Sequence, residues 1–162
     1  DYGLSLTLGG GDVSLLELTS AYAVFANNGA KQPAFAISRI EDHDGKVVFE
    51  HKAQGEQVLR PEHAYLISDI LSDNNARAYI FGANSPLYFP NHQVAVKTGT
   101  TSNYKDGWII GYTPSISAGV WAGNSNNAII KGEPGSVVAG PIFHTFMEKI
   151  LANQPLEYFS NP

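Results

Sequence analysis

The chain has 162 residues and a mass of 17.4 kDa, one compact domain's worth of polypeptide, and its 43% hydrophobic content excludes a disordered chain. A formal net charge of −5 and a pI near 5.4 leave no basic stripe to displace counterions, so no nucleic-acid partner is expected. The absence of cysteine excludes disulfide scaffolds, thiol catalysis and Cys-based zinc sites.

The first predicted element is a helix from Val13 to Ala26, entered from Gly9-Gly10-Gly11-Asp12. Asp12 is the expected N-cap, and Leu15, Leu18, Tyr22 and Phe25 fall on one face. Asn27-Asn28-Gly29 supplies the stop, with Gly29 suited to a left-handed position. Two strands follow, Ala34 to Glu41 and Lys46 to His51, joined as an antiparallel hairpin around Asp44-Gly45. Pro61 opens a second helix with apolar Tyr65, Leu66, Ile67, Ile70 and Leu71, broken at Ser72-Asp73-Asn74-Asn75. A short helical turn runs from Ala76 to Phe81 and ends at Gly82.

After a Pro- and Asn-rich loop come three short strands: Val94 to Thr98, Trp108 to Tyr112 and Ile116 to Ala122. The last two form a meander through Thr113-Pro114-Ser115. A polar loop from Asn124 to Gly135 leads to a closing helix with Pro141 in its first turn and Ile142, Phe143, Phe146, Ile150 and Leu151 on its apolar face. The expected class is α+β, an antiparallel sheet covered by helices. That fold is expected to be incomplete in this chain, with residues 1–154 the C-terminal part of a domain and 155–162 a C-terminal tail.

The most informative stretch is Val94-Ala95-Val96-Lys97-Thr98-Gly99-Thr100-Thr101. A small-residue strand edge with an ammonium, hydroxyls and a glycine suits recognition of an extended peptide. The main chain pairs with the peptide, Lys97, Thr98 and Thr100 address a carboxylate, and Gly99 permits close approach. A strand ending in a polar turn would read the same on the tetrapeptide alone.

The flanks sharpen this. Lys97-Thr98-Gly99-Thr100 resembles the third motif of the penicillin-binding proteins and serine β-lactamases. With Lys105-Asp106-Gly107-Trp108 and Gly111-Tyr112-Thr113-Pro114 it resembles the class A penicillin-binding proteins in particular. Leu8-Gly9-Gly10-Gly11-Asp12-Val13, Thr19 to Asn27 and Gly119-Val120-Trp121-Ala122-Gly123-Asn124 fall in that family's order, from Tyr2 to about Met147. Departures lie in Ser125 to Gly135 and in Ser136 to Gly140.

The resemblance implies a peptidoglycan D,D-transpeptidase. A serine attacks a terminal D-Ala-D-Ala peptide bond of a stem peptide, D-alanine leaves, and an amine of a neighbouring stem resolves the acyl-enzyme. β-Lactams acylate the same serine. By the match Lys97 is the catalytic residue of this segment, while Thr98, Gly99, Thr100 and Thr101 bind substrate, with the Thr100 N–H as an oxyanion donor. No cofactor and no metal are implied. The alternatives are a non-catalytic or β-lactam-sensing module, or a structural half that needs a partner chain.

The family's nucleophile motif, S-x-x-K, and then S-x-N precede K-T-G, so both are expected before residue 1. Three literal matches are read as accidental. Ser102-Asn103-Tyr104-Lys105 lies in a turn directly after the motif, Ser72-Asp73-Asn74 ends a helix, and Ser125-Asn126-Asn127 sits in a polar loop. Asp42-His43-Asp44 is read as a hairpin tip rather than a metal site. Trp108 and Trp121 are expected to anchor the sheet and Tyr104 to be an exposed loop aromatic.

The chain begins at Asp1, its only methionine is Met147, and only 15% of its residues are charged against roughly 25% in soluble domains. These features fit a piece of a larger enzyme, whose remaining N-terminal part would be a partner and would cover apolar faces left here. No apolar run approaches the ~20 residues of a membrane span, so no direct membrane contact is expected. The implied location is the extracytoplasmic face of a bacterial membrane, held by an anchor outside this segment.

Overall fold

The computed structural model describes residues 3–130 and 133–162. Tyr2, where the resemblance begins, and Lys131 and Gly132 of the polar loop lie outside the described residues. A 3-10 turn at Gly3–Leu8 leads to helix α1, Leu15–Ala26. Its N-cap is Ser14 rather than Asp12. The Ser14 side chain accepts from the Glu17 amide while the Glu17 carboxylate accepts from the Ser14 amide, a reciprocal capping box. Asp12 has leucine three residues on and cannot form one. The stop is as expected: Asn28 and Gly29 both take positive φ, 49° and 87°, and the Gly29 amide returns to the Val24 carbonyl.

Strand β1 (Ala30–Lys31) then precedes the hairpin of β2 (Arg39–Glu41) and β3 (Val47–Glu50). Both hairpin strands are shorter than the expected Ala34–Glu41 and Lys46–His51, since β3 offers only four residues for pairing. Residues 34–38 therefore run without a ladder, although Phe35 stacks on His51 at 3.8 Å. Gly45 takes φ 78° in the turn, and one Asp42 carboxylate oxygen accepts from the amides of Asp44 and Lys46. That is the turn role expected of Asp42-His43-Asp44. Strand β4 (Glu56–Gln57) pairs with β1; two-residue strands carry no periodicity to read.

Pro61 opens α2 (Pro61–Ser72), and Asp73 then caps α3 (Asn74–Phe81), its carboxylate accepting from the amides of Asn75 and Ala76. The main sheet is antiparallel in the order β5 (Ala95–Thr100), β6 (Asp106–Tyr112), β7 (Ser117–Gly123). A short helix α4 (Gly135–Val138) and the closing helix α5 (Gly140–Leu151) complete the chain. Residues 155–162 form no regular element. Phe159 nonetheless packs on Tyr112, and its amide donates to Gln93.

Strand alternation divides the sheet into two faces. Val96, Ile109 and Ala118 join Phe143, Met147 and Leu151 of α5 in one buried cluster. On this face Gly107 and Gly111 leave room for Val138 and Phe143, which a Cβ at either position would strike. The opposite face meets α1 and α2. Tyr112 is fully buried there, stacked with Phe25 and edge-on to Tyr22, and shares a 3.1 Å hydrogen bond with Ser68. Ser68 donates to the Ala64 carbonyl, so the tyrosine hydroxyl is the donor in that pair. Burial pushes the Tyr112 pKa up to about 12. Helix α2 turns its small residues, Ala64 and Ser68, to the interior, while Leu66 and Ile70 face out. Leu4, Leu8 and Ile80 are also exposed.

Candidate active site

Strand β5 is an edge of the main sheet among the described residues, bonded only to β6. Its register sets Lys97 opposite Ile110, Thr98 opposite Ile109, Gly99 opposite Trp108 and Thr100 opposite Gly107. Lys97 and Gly99 therefore lie on the α1/α2 face, and Thr98 and Thr100 on the α5 face. Lys97 is exposed, and its ammonium donates to the Thr98 carbonyl at 2.6 Å. No carboxylate among the described residues is within ion-pair distance of it. At Gly99 a Cβ would stand 3.2 Å from the Trp108 Cβ, so the cross-strand tryptophan already fills the space behind the glycine.

The hydroxyl and amide of Thr100 are both oriented. The Gly135 amide donates to Thr100 Oγ1 at 2.8 Å, which leaves the Thr100 O–H free to donate elsewhere. The amide direction follows from the ladder. Thr101 N–H donates to the Asp106 carbonyl on β6 at 3.2 Å, and successive amides of a strand point to opposite sides. Thr100 N–H therefore points out of the sheet, toward the free edge. The Thr98 carbonyl shares that direction, which is why the Lys97 ammonium can reach it.

Thr101 differs from the other site residues. Its hydroxyl donates to Asp106 Oδ2 at 2.9 Å and accepts from the Asp106 amide at 2.9 Å. Asp106 Oδ1 in turn accepts from the Trp121 indole N–H at 3.1 Å. That Asp106, Trp121 and Gly135 meet at the end of β5 is not legible in the sequence, because only the β6–β7 register and the return of α4 bring them there. Trp108 is half-buried and Trp121 41% exposed, cross-strand partners on the sheet face, in keeping with an anchoring role.

The three serine matches sit where accident predicts. Ser102 is exposed in the β5–β6 turn, and Asn103 and Tyr104 both take positive φ, 63° and 55°. That break destroys the one-turn helical relation that would bring Lys105 to the hydroxyl. Ser72 ends α2, donating to the Asp69 carbonyl and accepting from Gln93. Ser125 lies exposed in a turn, and Tyr104 is exposed as expected.

An antiparallel sheet between helical layers, with Lys-Thr-Gly-Thr on its open edge, defines part of a penicillin-binding transpeptidase fold. The structure superposes on penicillin-binding protein 1A from Haemophilus influenzae with a TM-score of 0.82 at 23% identity, covering 96% of this chain and 29% of that one. On the penicillin-binding protein PonA1 from Mycobacterium tuberculosis the TM-score is 0.80 at 27% identity, covering 98% and 43%. Residues 3–148 match the family model described as the penicillin binding protein transpeptidase domain. Penicillin-binding protein 1A of Aquifex aeolicus is 36% identical over 160 residues, covering 98% of this chain and 21% of the relative. Penicillin-binding protein 2D of Bacillus subtilis is 35% identical over 164 residues, covering 98% and 23%. The chain belongs to the penicillin-binding protein transpeptidase-domain family. It spans about a fifth of the length of those curated relatives. No helix among the described residues is long and apolar enough to cross a membrane.

Proposed function

We propose that this chain forms the substrate-binding wall of a peptidoglycan D,D-transpeptidase that works through a serine acyl-enzyme and is acylated by β-lactams. The observation that carries the reading is the outward Thr100 N–H on an unpaired edge beside the exposed Lys97 ammonium. A stem peptide ending in D-Ala-D-Ala lies along β5 as an added strand. Its terminal carboxylate meets the hydroxyls of Thr98 and Thr100 and the charge of Lys97. Gly99 keeps the approach clear.

The scissile carbonyl oxygen then sits at the Thr100 N–H, a donor aimed in advance at the charge that develops in the tetrahedral intermediate. Serine Oγ bonds to that carbonyl carbon, the C–N bond breaks, and D-alanine leaves carrying the proton taken from the serine. The amine of a second stem peptide attacks the ester and forms the new C–N bond, the C–O bond to serine breaks, and the proton lost by the amine returns to the serine oxygen, completing the cross-link. The serine belongs to a part of the enzyme outside this chain, which also covers Leu66, Ile70 and Ile80, and the isolated chain is inactive. The site works on the extracytoplasmic side of the membrane, where peptidoglycan is assembled.

Penicillin labelling of the full-length protein, followed by peptide mass mapping, tests the assignment. The label is expected on a serine outside Asp1–Pro162, with a Ser102→Ala variant labelled to the same extent. Label on Ser102 would overturn the reading. Labelling without cross-linking of stem peptides would convert it to a β-lactam-sensing module.

A further inference from the structure

We propose that Asp106 is a positioning residue for this site, clamping the end of β5 so that the Thr100 N–H holds its aim; the proposal rests on the transpeptidase reading above. The carboxylate uses both oxygens: Oδ2 accepts the Thr101 hydroxyl proton at 2.9 Å and Oδ1 the Trp121 indole proton at 3.1 Å. The Asp106 main chain joins in, its amide donating to Thr101 Oγ1 at 2.9 Å and its carbonyl accepting from the Thr101 amide at 3.2 Å. Four hydrogen bonds therefore converge on the residue directly after Thr100 and on its anchor. Three involve Thr101, and the fourth ties Asp106 across to β7.

The surroundings are shaped for this clamp. Gly123 pairs with Asp106 on β7, and a Cβ there would stand 2.7 Å from Asp106 Oδ1 and strike the Trp121 ring. The ring itself lies across from Trp108, which backs Gly99. Asp106, Trp108 and Trp121 thus share the face of the sheet that carries Lys97 and Gly99. Thr101 and Asp106 are exposed or half-buried at the sheet's end, one residue beyond the point where the Gly135 amide of α4 holds the Thr100 hydroxyl. Without the carboxylate, the Thr101 hydroxyl loses its acceptor and β5 its tie to Trp121, and the end of the strand is left to its main-chain bonds beside a turn with two positive-φ residues, Asn103 and Tyr104. The geometry of an oxyanion donor tolerates little of that freedom, since a misplacement of about 1 Å costs on the order of 100-fold in rate.

The test measures penicillin acylation of the full-length protein over a range of drug concentrations, which separates non-covalent binding from the acylation step. Asp106→Ala is expected to lower the acylation rate constant between about tenfold and 100-fold. Non-covalent affinity and melting temperature should stay close to those of the parent. Asp106→Asn keeps an Oδ1 acceptor for Trp121 and an amide that can meet Thr101, so it should recover most of the loss. Trp121→Phe, which removes only the indole donor, should fall between parent and Asp106→Ala.

Lys97→Ala serves as the control on the underlying reading. If Lys97→Ala abolishes acylation while Asp106→Ala acylates at the parental rate, the clamp is wrong and the transpeptidase wall stands. If Lys97→Ala acylates normally, the wall itself is wrong. A rate loss in Asp106→Ala that merely follows the unfolded fraction, with no rescue by asparagine, would also overturn the clamp.

Discussion

The two faces of the β5–β6–β7 sheet are built to opposite ends. The face under α5 is sealed over most of its area: Ile109, Phe143 and Met147 are fully buried, Gly107 and Gly111 are hollows that receive side chains from the helices above, and Thr98 and Thr100 stay reachable at its β5 edge. The other face is sealed from the Ala95–Tyr112 end, where α1 and α2 converge on the tyrosine, as far as Ile110, which α1 covers at Gly119. Toward the Thr100–Asp106 end it opens, exposing Lys97 and part of Trp121. The α5 face supplies most of the free energy that keeps the sheet together, and the open end of β5 leaves side chains of both faces accessible on a strand that the core holds still. A functional residue here can be exposed without being loose, because its strand neighbours alternate into the sealed core.

That contrast can be broken from either side. The largest stability effect belongs to the sealed face: Phe143→Ala should cost about 3–5 kcal/mol in denaturant unfolding of the full-length protein. Lys97→Ala, on the open end, should stay within about 0.5 kcal/mol of the parent. Gly111→Ala, which sets a methyl against the Phe143 ring, should cost about 1–3 kcal/mol. If it costs nothing, the hollow is not as tight as drawn.

Tyr112→Phe should cost about 1 kcal/mol, because the buried Ser68 oxygen loses its donor. It also carries a pH signature. The folded pKa of about 12 lies above the ordinary value of 10.0, so the contribution of the neutral tyrosine is complete below pH 10 and is lost as pH rises from there through 12. Alkaline unfolding should therefore be shallower in Tyr112→Phe, measured by near-ultraviolet absorbance. The smallest effect lies at the start of α1. Hydrogen bonds from the Ser14 side chain, and then from its amide, hold the Glu17 carboxyl below its ordinary 4.5. The cap's contribution is present above pH 4.5 and fades as pH falls through the lowered value, which amide exchange at Glu17 and Leu18 should report.

Much of this arrangement is legible in the sequence, and the illegible parts share a cause. Asn27-Asn28-Gly29, Pro61, Asp73 and the short apolar run from Trp108 to Tyr112 are local signals, and the chain stops, starts and pairs at those residues. Local pattern also misleads where two signals compete, as when Asp12 is chosen over Ser14 although Ser14-x-x-Glu17 spells out the capping box. Lys97 to Thr100 can be found by motif, yet the direction of each group cannot. It depends on which amides face β6, and on Gly135 returning from 35 residues away to the Thr100 hydroxyl. Asp106 and Trp121, 15 residues apart, meet only through strand register. The site's chemistry is written in one strand, while its geometry is written in contacts between strands.

The most direct test of the substrate wall is a crystal structure of the full-length protein acylated by a penicillin. The drug is expected to lie along the free edge of β5, its carbonyl oxygen within hydrogen-bond distance of the Thr100 amide and its carboxylate at the hydroxyls of Thr98 and Thr100. A drug bound away from β5, or one whose carbonyl oxygen is held by other donors with the Thr100 amide turned aside, would contradict the substrate wall.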